Sequence, residues 1–321
     1  MWNRVFRVVI WGIITVCIAL PINSFSQEAK KEENKTEQKV EKKKEQDLSN
    51  WWTRNPLTFD PIPEDLLWHV EATYQWDRST GNWTSDNHAV DSLLSLRYHR
   101  FTNNLRGSFE KKSVAKPKAP PFSEQNTSLR DSTKYDIHED FRYALTKKSY
   151  FAPGVFYFED DYSYIDERWT YYAGIGGDVY SFKFSGMEIF KLSMFGAYGY
   201  ETKKYIDEYH ETYLLVKEWG IANTIGNYDP DTEKYDVLYF NESIKLFPYQ
   251  GVMVTQDLIY VVDAGDSDIY RWTFSVGVDF KIMENLFVSL SYKEEYDNNA
   301  NQLLGIRKRD QTNGIGIKVV F

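Results

Sequence analysis

From Leu66 to Asp77 the chain alternates: Leu66, Trp68, Val70, Ala72, Tyr74 and Trp76 form one set, and His69, Glu71, Thr73, Gln75 and Asp77 another. Successive side chains of a strand point to opposite faces, so this segment predicts a strand lying between an apolar and a wet environment. Its length suits a tilted membrane strand, which needs roughly 9 to 11 residues. The pattern returns near the C-terminus. Tyr270, Trp272, Phe274, Val276, Val278 and Phe280 alternate with Arg271, Thr273, Ser275, Gly277, Asp279 and Lys281. After the turn Met283 to Asn285, Leu286, Val288, Leu290 and Tyr292 alternate with Ser289, Ser291, Lys293 and Glu295, and Ile315, Ile317, Val319 and Phe321 close the chain.

Between these anchors, further strands are predicted at Val90 to Phe101, Leu105 to Val114, Tyr135 to Leu145, Tyr150 to Asp160, Trp169 to Phe184, Met187 to Tyr200, Tyr235 to Leu246 and Val252 to Val262. The total is about twelve, an even number of the kind bacterial barrels prefer. Thr212 to Asn227 either extends strands or adds a hairpin. Short connections are expected at Thr102 to Asn104, Thr146 to Lys148 and Met283 to Asn285, and long ones at Ala115 to Lys134, Lys203 to Lys234 and Asn298 to Asp310. Short turns on one side and long loops on the other put both termini in the periplasm.

A β-sandwich would also alternate. Against it, Trp68, Trp76, Tyr98, Trp169, Tyr270, Trp272, Tyr292 and Phe321 fall near the ends of their apolar stripes, where the aromatic girdles of a membrane barrel lie. Composition agrees. The chain is 17% aromatic and 26% charged, yet no segment after the N-terminus is apolar for long enough to form a membrane helix. The expected fold is therefore an all-β, transmembrane, antiparallel up-and-down β-barrel of outer-membrane type over residues 51–321.

Export is read from the start of the chain. Arg4 and Arg7 precede an apolar stretch from Val8 to Ile22 that ends at Ser24, Phe25 and Ser26, which makes residues 1–26 a cleavable signal peptide. Residues 27–50 are almost wholly Glu, Lys, Gln and Asn and read as a charged, disordered linker. Cys17, the one cysteine, lies within the signal. A mature chain without thiols has no disulfide, thiolate metal site or cysteine nucleophile.

Candidate chemistry is sparse. His138 and Glu139, and His210 and Glu211, start like a zinc-protease motif but lack its second histidine. Gly174, Gly176 and Gly177 miss the dinucleotide fingerprint because Val179 replaces its third glycine. Asp263, Asp266 and Asp268 depart from calcium-loop spacing and read as a solvated loop. The sequons at Asn82, Asn126 and Asn241 have no meaning in a bacterial barrel. A net charge of −9 argues against nucleic acid as a partner. No enzyme activity, cofactor or metal is expected, and oligomeric state is left open.

In its closing residues the chain resembles the YdiY-like salt-induced outer-membrane proteins, grouped as domain of unknown function 481. Tyr296 and Asp297, Lys308 and Asp310, and Gly314 and Gly316 before Phe321 look like that family's closing hairpin, and Ala173 to Gly177 like its glycine-rich middle strand. Asn299 and Ala300 stand where the family's pattern has a proline after the Tyr and Asp pair. The resemblance spans roughly Leu66 to Phe321 and implies an outer-membrane barrel with a role in osmotic or envelope stress.

In a closed barrel the polar set would line the lumen: His69, Glu71, Arg97, His99, His138, Asp140, Arg142, Asp178, Arg271, Asp279, Lys293, Glu295 and Lys318. Two functions fit. One is weak passage of small ions or solutes, with a modest cation preference from Glu159, Asp160, Asp161 and the loop aspartates. The other is a structural or surface-binding barrel plugged by its own ion pairs. An outer-membrane hydrolase is a third reading, for which no residue is singled out. Membrane lipid is the partner that all three share.

Overall fold

The computed structural model describes residues 63–80, 84–115, 129–161, 163–184, 187–206, 232–249, 251–299 and 308–321. The signal and linker segments, Thr212 to Asn227, His210 and Glu211, and the sequons at Asn82 and Asn126 lie outside them.

Twelve strands among the described residues close into one antiparallel barrel in which each strand pairs with its sequence neighbours. They are β1 (Leu67–Thr80), β2 (Thr84–Tyr98), β3 (Phe101–Ala115), β4 (Leu129–Ala144), β5 (Ser149–Asp160) and β6 (Ile165–Phe184). They continue with β7 (Met187–Tyr205), β8 (Thr232–Tyr249), β9 (Val252–Asp263), β10 (Tyr270–Met283), β11 (Leu286–Asp297) and β12 (Arg309–Val320). The β1–β12 seam runs from Glu71 opposite Val320 to Trp76 opposite Ile315. Phe321 completes it, its N–H donating to Val70 at 2.8 Å and its carbonyl accepting from Val70 at 2.9 Å. Over this seam neither terminal strand is left as a free edge, which hydrocarbon would not tolerate.

Every predicted strand is present, and the alternation sets its faces. Trp68, Tyr74, Trp76, Ile315, Ile317 and Phe321 are exposed on the outside, whereas His69, Ser95, Asp279 and Ser289 are buried. The outer wall also carries polar pairs, among them Asn103 donating to Glu139 at 3.0 Å.

One end of the barrel has the connections 99–100, 145–148, 185–186, 250–251 and 284–285, none over four residues; the other has 81–83, 116–128, 161–164, 206–231, 264–269 and 298–308, three of them of eleven residues or more. Both ends of the barrel sequence, Leu67 and Phe321, lie at the turn end. The turn expected at Thr102 to Asn104 sits instead at His99 and Arg100. His99 takes a left-handed φ of 49°, and its N–H donates to the Pro63 carbonyl at 3.1 Å, so the chain reverses there and Thr102 and Asn104 become buried strand residues.

Candidate functional site: the barrel interior

Strand parity alone would make the interior a polar tube. What forms it is two kinds of wall. On β5 to β9 the inward positions hold Tyr150, Ala152, Tyr172, Phe195, Val237, Tyr239 and Val261 in one buried apolar cluster. Tyr172 and Tyr239 stack with centroids 5.0 Å apart at 5°, and Tyr150 stacks on Phe195 at 5.9 Å and 3°. This aromatic shelf departs from the expectation of an apolar outside and a polar inside.

Glycines make room for it. Tyr172 lies opposite Gly154, and Tyr150 opposite Gly176. A Cβ on Gly154 would come within 2.4 Å of the Tyr172 ring, and one on Gly176 within 2.4 Å of the Tyr150 hydroxyl. The rings therefore lie flat over bare backbone, the arrangement that rescues glycine within a strand. The glycine-rich β6 is thus a packing device for tyrosine.

Much of the rest of the interior is ion-paired. Arg271 of β10 grips Glu201 of β7 with both terminal nitrogens, Nη1 to Oε1 at 2.7 Å and Nη2 to Oε2, and Thr170 donates to the same carboxylate at 2.7 Å. Lys318 of β12 bridges Glu71 at 2.7 Å and Asp279 of β10 at 3.1 Å. Lys191 meets Asp178 at 2.9 Å. Ser95, Asn104, Asp140 and Arg142 form a chain across β2, β3 and β4, with Ser95 donating to Asn104 at 2.6 Å and Asn104 to Asp140 at 2.9 Å. Lys134 of β4 reaches Glu295 of β11 at 2.5 Å, and Lys293 contacts the same carboxylate at 3.1 Å. β4 and β11 are five strands apart by the shorter way round the wall, so this bond crosses the lumen.

Of the expected lining residues, His69, Glu71, Asp140, Arg142, Asp178, Arg271, Asp279, Lys293, Glu295 and Lys318 join these pairs. Arg97 is buried. His138 bonds through Nε2 to the Tyr172 hydroxyl and ties β4 to the shelf. His99 is the exception: it is exposed in the β2–β3 turn, because the reversal removes it from the strand before its parity can aim it inward.

Lys134, Arg168, Glu201 and Lys203 were not among the predicted lining. Their apolar stripes stop at Tyr135, Trp169 and Tyr200, but the strands run on toward the loop end with inward parity unchanged. Following the polar alternation past the aromatic girdle would have found them. The loop aspartates cap their own turn: Asp263 accepts from the N–H of Gly265 at 2.6 Å and of Asp266 at 3.2 Å, and Asp266 accepts from that of Asp268 at 3.0 Å. Among the described residues no group of His, Cys, Asp and Glu is placed to hold a metal.

A closed antiparallel barrel, apolar and aromatic outside and ion-paired within, is a transmembrane β-barrel of the outer-membrane type. The chain belongs to the family described as a protein of unknown function, DUF481, which it matches over residues 70–321. A search of curated proteins found no significant match. Among solved structures it is similar to the NanC porin, at 10% identity and a TM-score of 0.42, covering 79% of this chain and 99% of that one. It is also similar to the COG4313 outer membrane channel from Pseudomonas putida F1, at 11% identity and a TM-score of 0.46, covering 83% and 98%. A third is the translocator domain of the autotransporter NalP from Neisseria meningitidis, at 8% identity and a TM-score of 0.39, covering 89% and 96%.

Proposed function

We propose that the protein is an outer-membrane barrel with a barred lumen, its turns in the periplasm and its loops outside, which leaks water and small ions and excludes sugar-sized solutes. The Lys134–Glu295 bond carries this reading: it joins opposite walls at 2.5 Å, and the Tyr172 and Tyr239 shelf fills the wall between them. A bulk uptake channel keeps its interior wet and clear, whereas here Lys134, Lys191, Glu201, Arg168 and Lys203 are all less than a tenth exposed. A barred barrel suits a role in envelope or osmotic stress, because it adds protein to the membrane without adding a solute leak.

The test is liposome swelling beside planar-bilayer recording. Wild-type protein should give no swelling with disaccharides and only small current steps. The double variant Lys134→Ala/Tyr172→Ala, checked for folding by its migration without boiling, should raise the current several-fold. Disaccharide swelling by the wild type would overturn the reading. A hydrolase has little support in this interior, where His138 faces a tyrosine and His99 a turn.

A further inference from the structure

Burying a charge without a partner is costly, so an inner-wall cation with no counter-ion calls for an explanation. Arg168, the fourth residue of β6, comes close to that case, because the carboxylates that act on it, Glu201, Asp297 and Glu295, do so from beyond ion-pair contact. It is 7% exposed, its Nε is buried without a hydrogen-bond partner, and it forms no ion pair among the described residues. Its guanidinium carbon lies over the Phe158 ring, 4.1 Å from the centroid.

Arg168 lines a cavity of about 20 Å³ at the loop end of the lumen, together with Lys203, Arg271 and Asp297. The other two cations are committed. Arg271 gives both terminal nitrogens to Glu201, and Lys203 has Glu233 at 3.4 Å and the Tyr205 ring beneath it. Asp297 accepts from the Asn299 N–H at 2.9 Å through Oδ1. What is left is one guanidinium beside a small space, with a like charge, Arg271, and the carboxylates of Glu201, Asp297 and Glu295 acting on it without an ion-pair contact.

We propose that this cavity is a binding site for a small carboxylate, held by the Arg168 fork at the outer mouth of the barrel. A planar fork matches a planar carboxylate and accepts two of its oxygens at once. At about 20 Å³ the cavity holds little more than a water-sized group, so the carboxylate oxygens sit at its opening and the rest of the ligand stays in the mouth. Glu201, Asp263 and Asp297 in the same lining repel a second negative charge, so a monoanion is preferred to a dianion. The site depends on the barred-barrel reading only for its position, since a closed lumen and a leaky one bind equally at the mouth.

The experiment is calorimetric titration of the folded full-length barrel in detergent micelles with acetate and, separately, with inorganic phosphate above pH 8, at constant ionic strength in chloride. Acetate should bind saturably and more tightly than phosphate. Arg168→Gln should weaken acetate binding at least tenfold, and Arg168→Lys, which keeps the charge and loses the fork, several-fold. Arg106→Gln removes another inward cation, outside the cavity, and should leave binding unchanged. Each variant is accepted only if it migrates as a folded barrel without boiling. Should Arg168→Gln not fold, Arg168→Lys and Arg106→Gln decide between fork and general field. No saturable acetate binding, stronger binding of phosphate, unaltered binding in both Arg168 variants, or equal loss in Arg106→Gln would each overturn the proposal. Conductance is not measured, so failure here leaves the barred lumen standing, and disaccharide swelling leaves the site standing.

Discussion

Val276→Arg against Ser275→Arg tests the register of the whole barrel, because a slip by one residue exchanges the inner and outer faces of a strand. Val276 is the seventh residue of the fourteen in β10, facing out between Gln256 of β9 and Tyr292 of β11. An arginine on the lipid face near mid-membrane costs about 2 to 4 kcal/mol. The amide of Gln256, on the same face, can accept a hydrogen bond from the new guanidinium and moves the expectation to the lower half, about 2 to 3 kcal/mol. That is roughly 30- to 150-fold in the folding equilibrium. Ser275 faces inward between Asp257 and Lys293. An arginine there gains from one neighbour about what it loses to the other, so its net cost should stay under about 1 kcal/mol. The assay is urea titration in phospholipid vesicles, followed by tryptophan emission and by the fraction of fast-migrating unboiled protein. Equal loss in the two variants, or a larger loss for Ser275→Arg, would refute the face assignment.

Wild-type protein should fractionate with the outer membrane and run faster unboiled than boiled, because the closed β1–β12 seam resists detergent; recovery as soluble periplasmic protein would contradict this. Gly154→Ala and Gly176→Ala should each cost about 1 to 3 kcal/mol by lifting Tyr172 or Tyr150 off the wall, read in the same urea assay. The Lys134 and Glu295 side chains should couple in a double-mutant cycle by about 1.5 to 3 kcal/mol, the range of a charged hydrogen bond, and a coupling near zero would show that the strut does not form in the membrane.

The alternation along each strand determined a good deal by itself. Apolar sets such as Trp68 to Trp76 and polar sets such as His69 to Gln75 require two solvents, and a period of two with girdle aromatics allows little besides a membrane barrel. Parity likewise aimed Glu71, Asp279 and Lys318 inward before any partner was visible. Local pattern does not carry distance across a lumen. That Lys134 meets Glu295, 161 residues away, follows only from closure, which sets β4 opposite β11. Nor does it show that Tyr150 and Tyr172 point in, since an aromatic on either parity looks the same until the glycine across the ladder is known. The state of the lumen was undecided in the sequence for the same reason: it is set by pairs of residues that strand order alone brings together.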